Sequence, residues 1–184
     1  VSASVRLGLT PDAVSVVAFL LAVGASGTFY VGGETPVWYL VGAVFVFLNG
    51  WLDLLDGALA RELGTDSKAG DLLDHVLDRY ADIVLIVGFA AGVGRYALGL
   101  VAVTGVLMTS YLGTQAQAVD LDRVYGGLLG RADRLALMGV TAALAAFVGS
   151  VGGYSLVAVL LGVFAVVGHL TALQRFYYAW RALA

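Results

Sequence analysis

Asp53-Leu54-Leu55-Asp56-Gly57-Ala58-Leu59-Ala60-Arg61 closes one long apolar run, and Gly70-Asp71-Leu72-Leu73-Asp74-His75-Val76-Leu77-Asp78-Arg79 opens the next. Acids are expensive inside a bilayer and mark function there. Their spacing is helical. Asp53 and Asp56 are three apart and share one helix face; Asp74 and Asp78 are four apart and share another. The short polar link 62–69 predicts that the two helices are antiparallel neighbours, with the four carboxylates converging at one depth. Converging carboxylates repel one another and need a cation. An all-oxygen donor set suits a hard divalent ion, Mg²⁺ or Mn²⁺, and two such ions can clamp a pyrophosphate during in-line displacement. Gly57 leaves room beside Asp56 for a flat ligand, Ala60 is small on the same face, and Arg61 can meet phosphate charge.

The rest of the chain is a membrane protein by composition. Of its 184 residues 60% are hydrophobic and 12% charged, with mean hydropathy +0.93. A soluble domain carries about 25% charged residues. The net charge of −3 argues against a nucleic-acid partner, and the absence of cysteine excludes disulfides and thiolate metal sites. One domain spanning 1–184 is expected, with an N-terminus truncated before Val1. The early apolar run after Arg6 lacks the pattern of a cleaved signal peptide and is read as a retained span.

Six apolar segments are expected to cross the membrane as helices, giving an all-α polytopic fold. They cover about 12–31, 36–61, 70–94, 96–119, 132–150 and 154–181. Thr10-Pro11 suits the start of the first. With six spans, Arg6, Arg61, Lys68, Arg79, Arg123, Arg131, Arg134, Arg175 and Arg181 fall at one side and Arg95 at the other. The positive-inside rule then places both termini and the acids at the cytoplasmic face of the cell membrane.

The acids and their neighbours together form D-x-x-D-G-x-x-A-R, eight residues, then G-x-x-x-D-x-x-x-D: Asp53, Asp56, Gly57, Ala60, Arg61, Gly70, Asp74 and Asp78. This resembles the signature of the CDP-alcohol phosphotransferases (CDP-alcohol phosphatidyltransferases), with every signature position filled. Leu9-Thr10-Pro11 also resembles the start of that family's first span. The resemblance implies a six-helix membrane enzyme of phospholipid biosynthesis, usually a homodimer. It implies that Asp53, Asp56 and Asp74 hold the metals, and that Asp78 completes the cluster or acts as general base on the acceptor hydroxyl. Gly57, Ala60, Arg61 and Gly70 would shape the CDP pocket. A CDP-lipid, either CDP-diacylglycerol or CDP-archaeol, would donate its phosphatidyl or archaetidyl group to an alcohol and release CMP. One lysine against nine arginines fits a GC-rich genome and leans toward the archaeal donor.

Ser110-Tyr111 at the end of the fourth segment, with Arg131-Ala132-Asp133-Arg134 at the fifth, resembles the branch that makes phosphatidylinositol phosphate or archaetidylinositol phosphate. That resemblance implies inositol 1-phosphate as acceptor, its phosphate met by Arg131, Arg134 and Arg175 near Ser110. Where that branch commonly carries Lys and Arg soon after Ser-Tyr, this sequence has Gly113 and Gln115. Glycerol phosphate is therefore the first alternative acceptor. An intramembrane cation transporter is the alternative of another class; it leaves Gly57, Ala60 and Arg61 at their spacings unexplained.

Overall fold

A computed structural model describes residues 10–64, 67–122, 124 and 126–184, leaving aside the side chains of residues 60, 61 and 63. The expectations for Arg6, Leu9 and Arg123, and for the side chains of Ala60 and Arg61, lie outside the described residues.

The chain is almost wholly helical. α1 is Pro11–Gly32, α2 Val37–Leu63, α3 Lys68–Gly92, α4 Tyr96–Gln115, α5 Arg131–Ala145 and α6 Leu156–Leu183. Local chemistry sets the starts. Thr10 Oγ1 accepts from Ala13 N at 3.2 Å with Pro11 in the first turn. Ser67 Oγ accepts from Gly70 N at 3.0 Å, and Ser155 Oγ from Ala158 N at 3.1 Å. Each satisfies an amide that helix geometry leaves without a partner.

Among the described residues there are six α-helices, of which four (11–32, 37–59, 96–119 and 156–183) are long and apolar enough to cross a membrane. α3 falls short through charge, since it carries Lys68, Asp71, Asp74, Asp78, Arg79 and Asp82. α5 falls short through length. It was expected to reach residue 150 but stops at Ala145, and 15 residues of helix span only about 22 Å. The remainder is a small antiparallel hairpin pairing Ser150–Val151 with Tyr154–Ser155. Gly152 and Gly153 turn it at φ +61° and +83°, a region that favours glycine. α4 likewise ends four residues early, in a 3-10 turn closed by Asp120 in the left-handed region.

α1 is the central element. It packs along both α2 and α3, while α4 packs on α6 and α5 lies against α2. Small residues make the approaches close, as is usual between helices in lipid. A Cβ on Gly88 of α3 would sit 2.6 Å from the backbone oxygen of Ser26 in α1. At the end of the bundle remote from the acids, Phe29 stacks on Phe89 with ring centroids 3.8 Å apart, and Tyr39 flanks them.

Candidate metal centre

α2 and α3 are not the packed neighbours that the sequence predicts. Among the described residues they make little direct backbone contact, because α1 lies between them. The separation is physically reasonable, since two faces of like charge cannot close on each other. It leaves a small pocket lined by Ser15, Ala18 and Phe19 of α1, Asn49, Asp53 and Asp56 of α2, Asp74, Leu77, Asp78 and Ala81 of α3, and Arg131 of α5. Its free volume of about 10 Å³ is roughly the room of one water.

Convergence does occur. Asp53, Asp56 and Asp74 each turn a carboxylate oxygen toward a common point, all within 4.8 Å of one another. Asp56 is buried and fixed at both oxygens: Ser15 Oγ donates to Oδ2 at 2.6 Å and Gly57 N to Oδ1 at 2.6 Å. Each oxygen keeps a further lone pair for a cation. Asp78 stands beside this triad. Arg131 Nη1 bridges it to Asp53, 2.7 Å from Asp53 Oδ1 and in contact with Asp78 Oδ1. Arg79 Nη2 lies 3.4 Å from Asp78 Oδ2. His75 Nδ1 lies 3.7 Å from Asp74 Oδ2. Three converging carboxylates, with an arginine already drawn into the fourth, fit a hard divalent ion.

Of the predicted acceptor-binding residues, Arg131 lines this pocket, and Ser110, Arg134 and Arg175 are not among its lining residues. Gly70 is at the start of α3, where a Cβ would meet Asp12 Oδ1 and Ser67 Oγ at 3.2 Å. Arg131 and Arg134 both project from the first turn of α5, as predicted, but to different acids. Arg134 Nη2 donates to Asp82 Oδ2 at 2.8 Å, and both side chains are buried. Arg175 is tied to α4 and to the loop after it, donating from Nη1 to Thr109 O at 2.9 Å and from Nε to Gly126 O at 2.8 Å. The departure at Gly113 makes room for it, since a Cβ there would sit 2.6 Å from Arg175 Nη1. Ser110 is buried beside Thr109.

Sequence reasoning missed Ser15 and Asn49. Both are isolated polar residues in apolar runs, and that was the available signal. It also missed a groove of about 650 Å³ between α2 and α5. Phe47, Gly50 and Trp51 line one side, Leu135, Gly139 and Val140 the other, and Asp53 with Arg131 border it.

The family model for CDP-alcohol phosphatidyltransferase matches residues 8–171. The chain belongs to the CDP-alcohol phosphatidyltransferase family. It is thus a transferase acting on phosphate groups, and the cation-transporter reading is set aside. An archaetidylinositol phosphate synthase from Methanothermobacter thermautotrophicus is 31% identical over 183 residues, covering 97% of this chain and 87% of that one. A phosphatidylinositol phosphate synthase from Streptomyces avermitilis is 31% identical over 180 residues, covering 93% and 72%. Among solved structures, the Mycobacterium tuberculosis phosphatidylinositol phosphate synthase with CDP-DAG bound superposes with TM-score 0.81 at 26% identity, covering 97% of this chain and 90% of that chain. Its complex with manganese and citrate gives 0.82, covering 97% and 86%.

Proposed function

We propose that this chain transfers a phosphatidyl or archaetidyl group from a CDP-lipid to inositol 1-phosphate, releasing CMP. The observation that carries the chemistry is the triad of Asp53, Asp56 and Asp74 within 4.8 Å, with Asp78 beside it. These acids would hold the Mg²⁺ or Mn²⁺, two ions when Asp78 joins. Bound ions would neutralise the pyrophosphate and stabilise the departing CMP oxygen. Asp78 takes the hydroxyl proton as the acceptor oxygen attacks phosphorus and the bond to CMP breaks. Ser15 and Gly57 hold Asp56 in orientation.

The groove between α2 and α5 supports the donor assignment. It is apolar along its length and ends at charged groups, which matches a lipid tail joined to a phosphate. Gly57, Ala60, Arg61 and Gly70 border the CDP moiety. The acceptor's phosphate falls to Arg131, Arg134 and Arg175 near Ser110. Arg131 and Arg134 each keep a buried Nε without a hydrogen-bond partner, so both retain a donor for an anion. Archaetidylinositol and phosphatidylinositol phosphate synthases among the relatives favour inositol phosphate; glycerol phosphate offers the same anion and is the second reading.

The wider arrangement follows the same proposal. One domain crosses the membrane with six helices, α3 and α5 being shielded from lipid at their charged ends. Both termini and the acids face the cytoplasm of the cell membrane, and the enzyme works as a homodimer.

CMP release from a CDP-lipid, with inositol 1-phosphate, glycerol 1-phosphate, glycerol 3-phosphate, serine or inositol supplied separately, tests the assignment. Turnover with inositol 1-phosphate alone is expected. Asp78→Asn should lower it by at least about a thousandfold, toward the limit set by losing a general base, in a protein that still elutes as folded. Turnover restricted to an unphosphorylated acceptor would remove the arginine site from the reading.

A further inference from the structure

Asn49 is the only asparagine in the sequence, and it sits in the middle of an apolar helix. It lies one turn before Asp53, so both occupy the same face of α2. The side chain is 1% exposed and lines the carboxylate pocket. Its orientation is not arbitrary. Nδ2 donates to Ala18 O of α1 at 2.8 Å, and only the amide nitrogen can do that. Oδ1 is therefore the atom left over, and it is buried without a hydrogen-bond partner among the described residues. Leaving a buried acceptor unmet is costly, because it has given up its bond to water. Around it the pocket presents carboxylates, which are acceptors as well. A neutral oxygen on a residue that lines a pocket of carboxylates has no use for them; it has a use for whatever cation they share.

We propose that Asn49 Oδ1 is a further oxygen ligand of the divalent ion held by Asp53, Asp56 and Asp74, reached directly or across one ordered water. Hard divalent ions take six or more oxygens and accept amide carbonyls readily. Three carboxylates leave that shell short, and a neutral ligand extends it without adding to their repulsion. The bond from Nδ2 to α1 fixes the amide's orientation, much as second-shell partners orient the ligands of other metal sites. This inference rests on the metal centre of the proposed function and extends it by one residue.

Because there is one asparagine, labelling with [γ-¹³C]asparagine marks a single carbonyl in the wild-type protein. In detergent or nanodiscs, Mg²⁺ is expected to shift that resonance along a saturating curve matching the calorimetric Mg²⁺ isotherm. Mn²⁺ should broaden it beyond detection. Asn49→Leu should weaken Mn²⁺ binding about tenfold or more, in the range seen when a metal site loses a supporting oxygen. A purely structural asparagine predicts the opposite split: lower thermal stability without metal, and unchanged metal affinity. If calorimetry shows the ion bound while the carbonyl neither shifts nor broadens, Asn49 is not a ligand and the carboxylate site stands. If no ion binds at all, this inference and the metal reading fall together. Should Asn49→Leu fail to fold, the labelled wild-type titration decides alone.

Discussion

At the level of single residues, the centre depends on how a polar group from α1 controls an acid on α2. Ser15 Oγ is 2.6 Å from Asp56 Oδ2, short enough for a charge-assisted bond. It also donates to Pro11 O at 3.2 Å, so the hydroxyl is shared between its own helix and the metal site. Serine to alanine removes the orienting contact and little volume. Ser15→Ala should weaken Mn²⁺ binding by about tenfold, the scale at which outer-shell partners act, with the folded fraction unchanged; calorimetry reads the first and size-exclusion chromatography the second. Equal affinity in the two proteins would mean that Asp56 is positioned by its helix alone. The acids themselves were legible, because spacing of three and four on apolar helices has one geometric meaning. Ser15 was not, because a lone serine in a hydrophobic run says nothing about which distant residue it meets. That depends on α1 lying between α2 and α3, which no local pattern encodes.

Between elements, the tie that matters joins α3 to α5. Asp82 is fully buried and Arg134 almost so, and their 2.8 Å contact fixes the first turn of α5 one helical turn from Arg131. Asp82 Oδ1 and Arg134 Nε have no hydrogen-bond partner among the described residues, so the pair is incompletely satisfied. Buried pairs of this sort add little over an apolar replacement but are costly to half-remove. Asp82→Asn and Arg134→Met should each lower unfolding free energy by about 3 kcal/mol or more, while Asp82→Leu combined with Arg134→Met should recover most of it. A thermal-unfolding cycle in one detergent reads this directly; additive losses in the double variant would show that the two side chains do not depend on each other. The sequence placed Arg134 in an acceptor cluster, and the structure pairs it with Asp82 of α3. The start of α1 was well anticipated where Thr10-Pro11 marked it, whereas α3, capped by Ser67, begins two residues before the expected position 70. The end of α5 was not anticipated, since Ala146, Phe147 and Val148 are as apolar as the helix before them, and the glycines that turn the chain come later.

For the whole molecule, the arrangement explains how one reaction can join a lipid and a water-soluble alcohol. Ala18 and Phe19 of α1 supply the apolar part of the metal pocket's lining. The broad opening between α2 and α5 is apolar until it reaches Asp53 and Arg131. A lipid tail can lie in that opening while its phosphates meet the charged end, so the groove should govern donor binding and leave the chemical step alone. Gly139 is suited to test this. It lines the groove, and a Cβ there would have Val46 at 3.8 Å and otherwise open space, so a larger side chain can be built without disturbing the core. Gly139→Phe should raise KM for a long-chain CDP-lipid about tenfold, consistent with excluding one or two methylenes at about 0.8 kcal/mol each, and leave kcat within a factor of two. With a short-chain donor the same variant should match the wild type. Loss of kcat with both donors would instead mean that α5 carries the substitution's strain to Arg131, making the groove part of the catalytic framework rather than a berth for the tail.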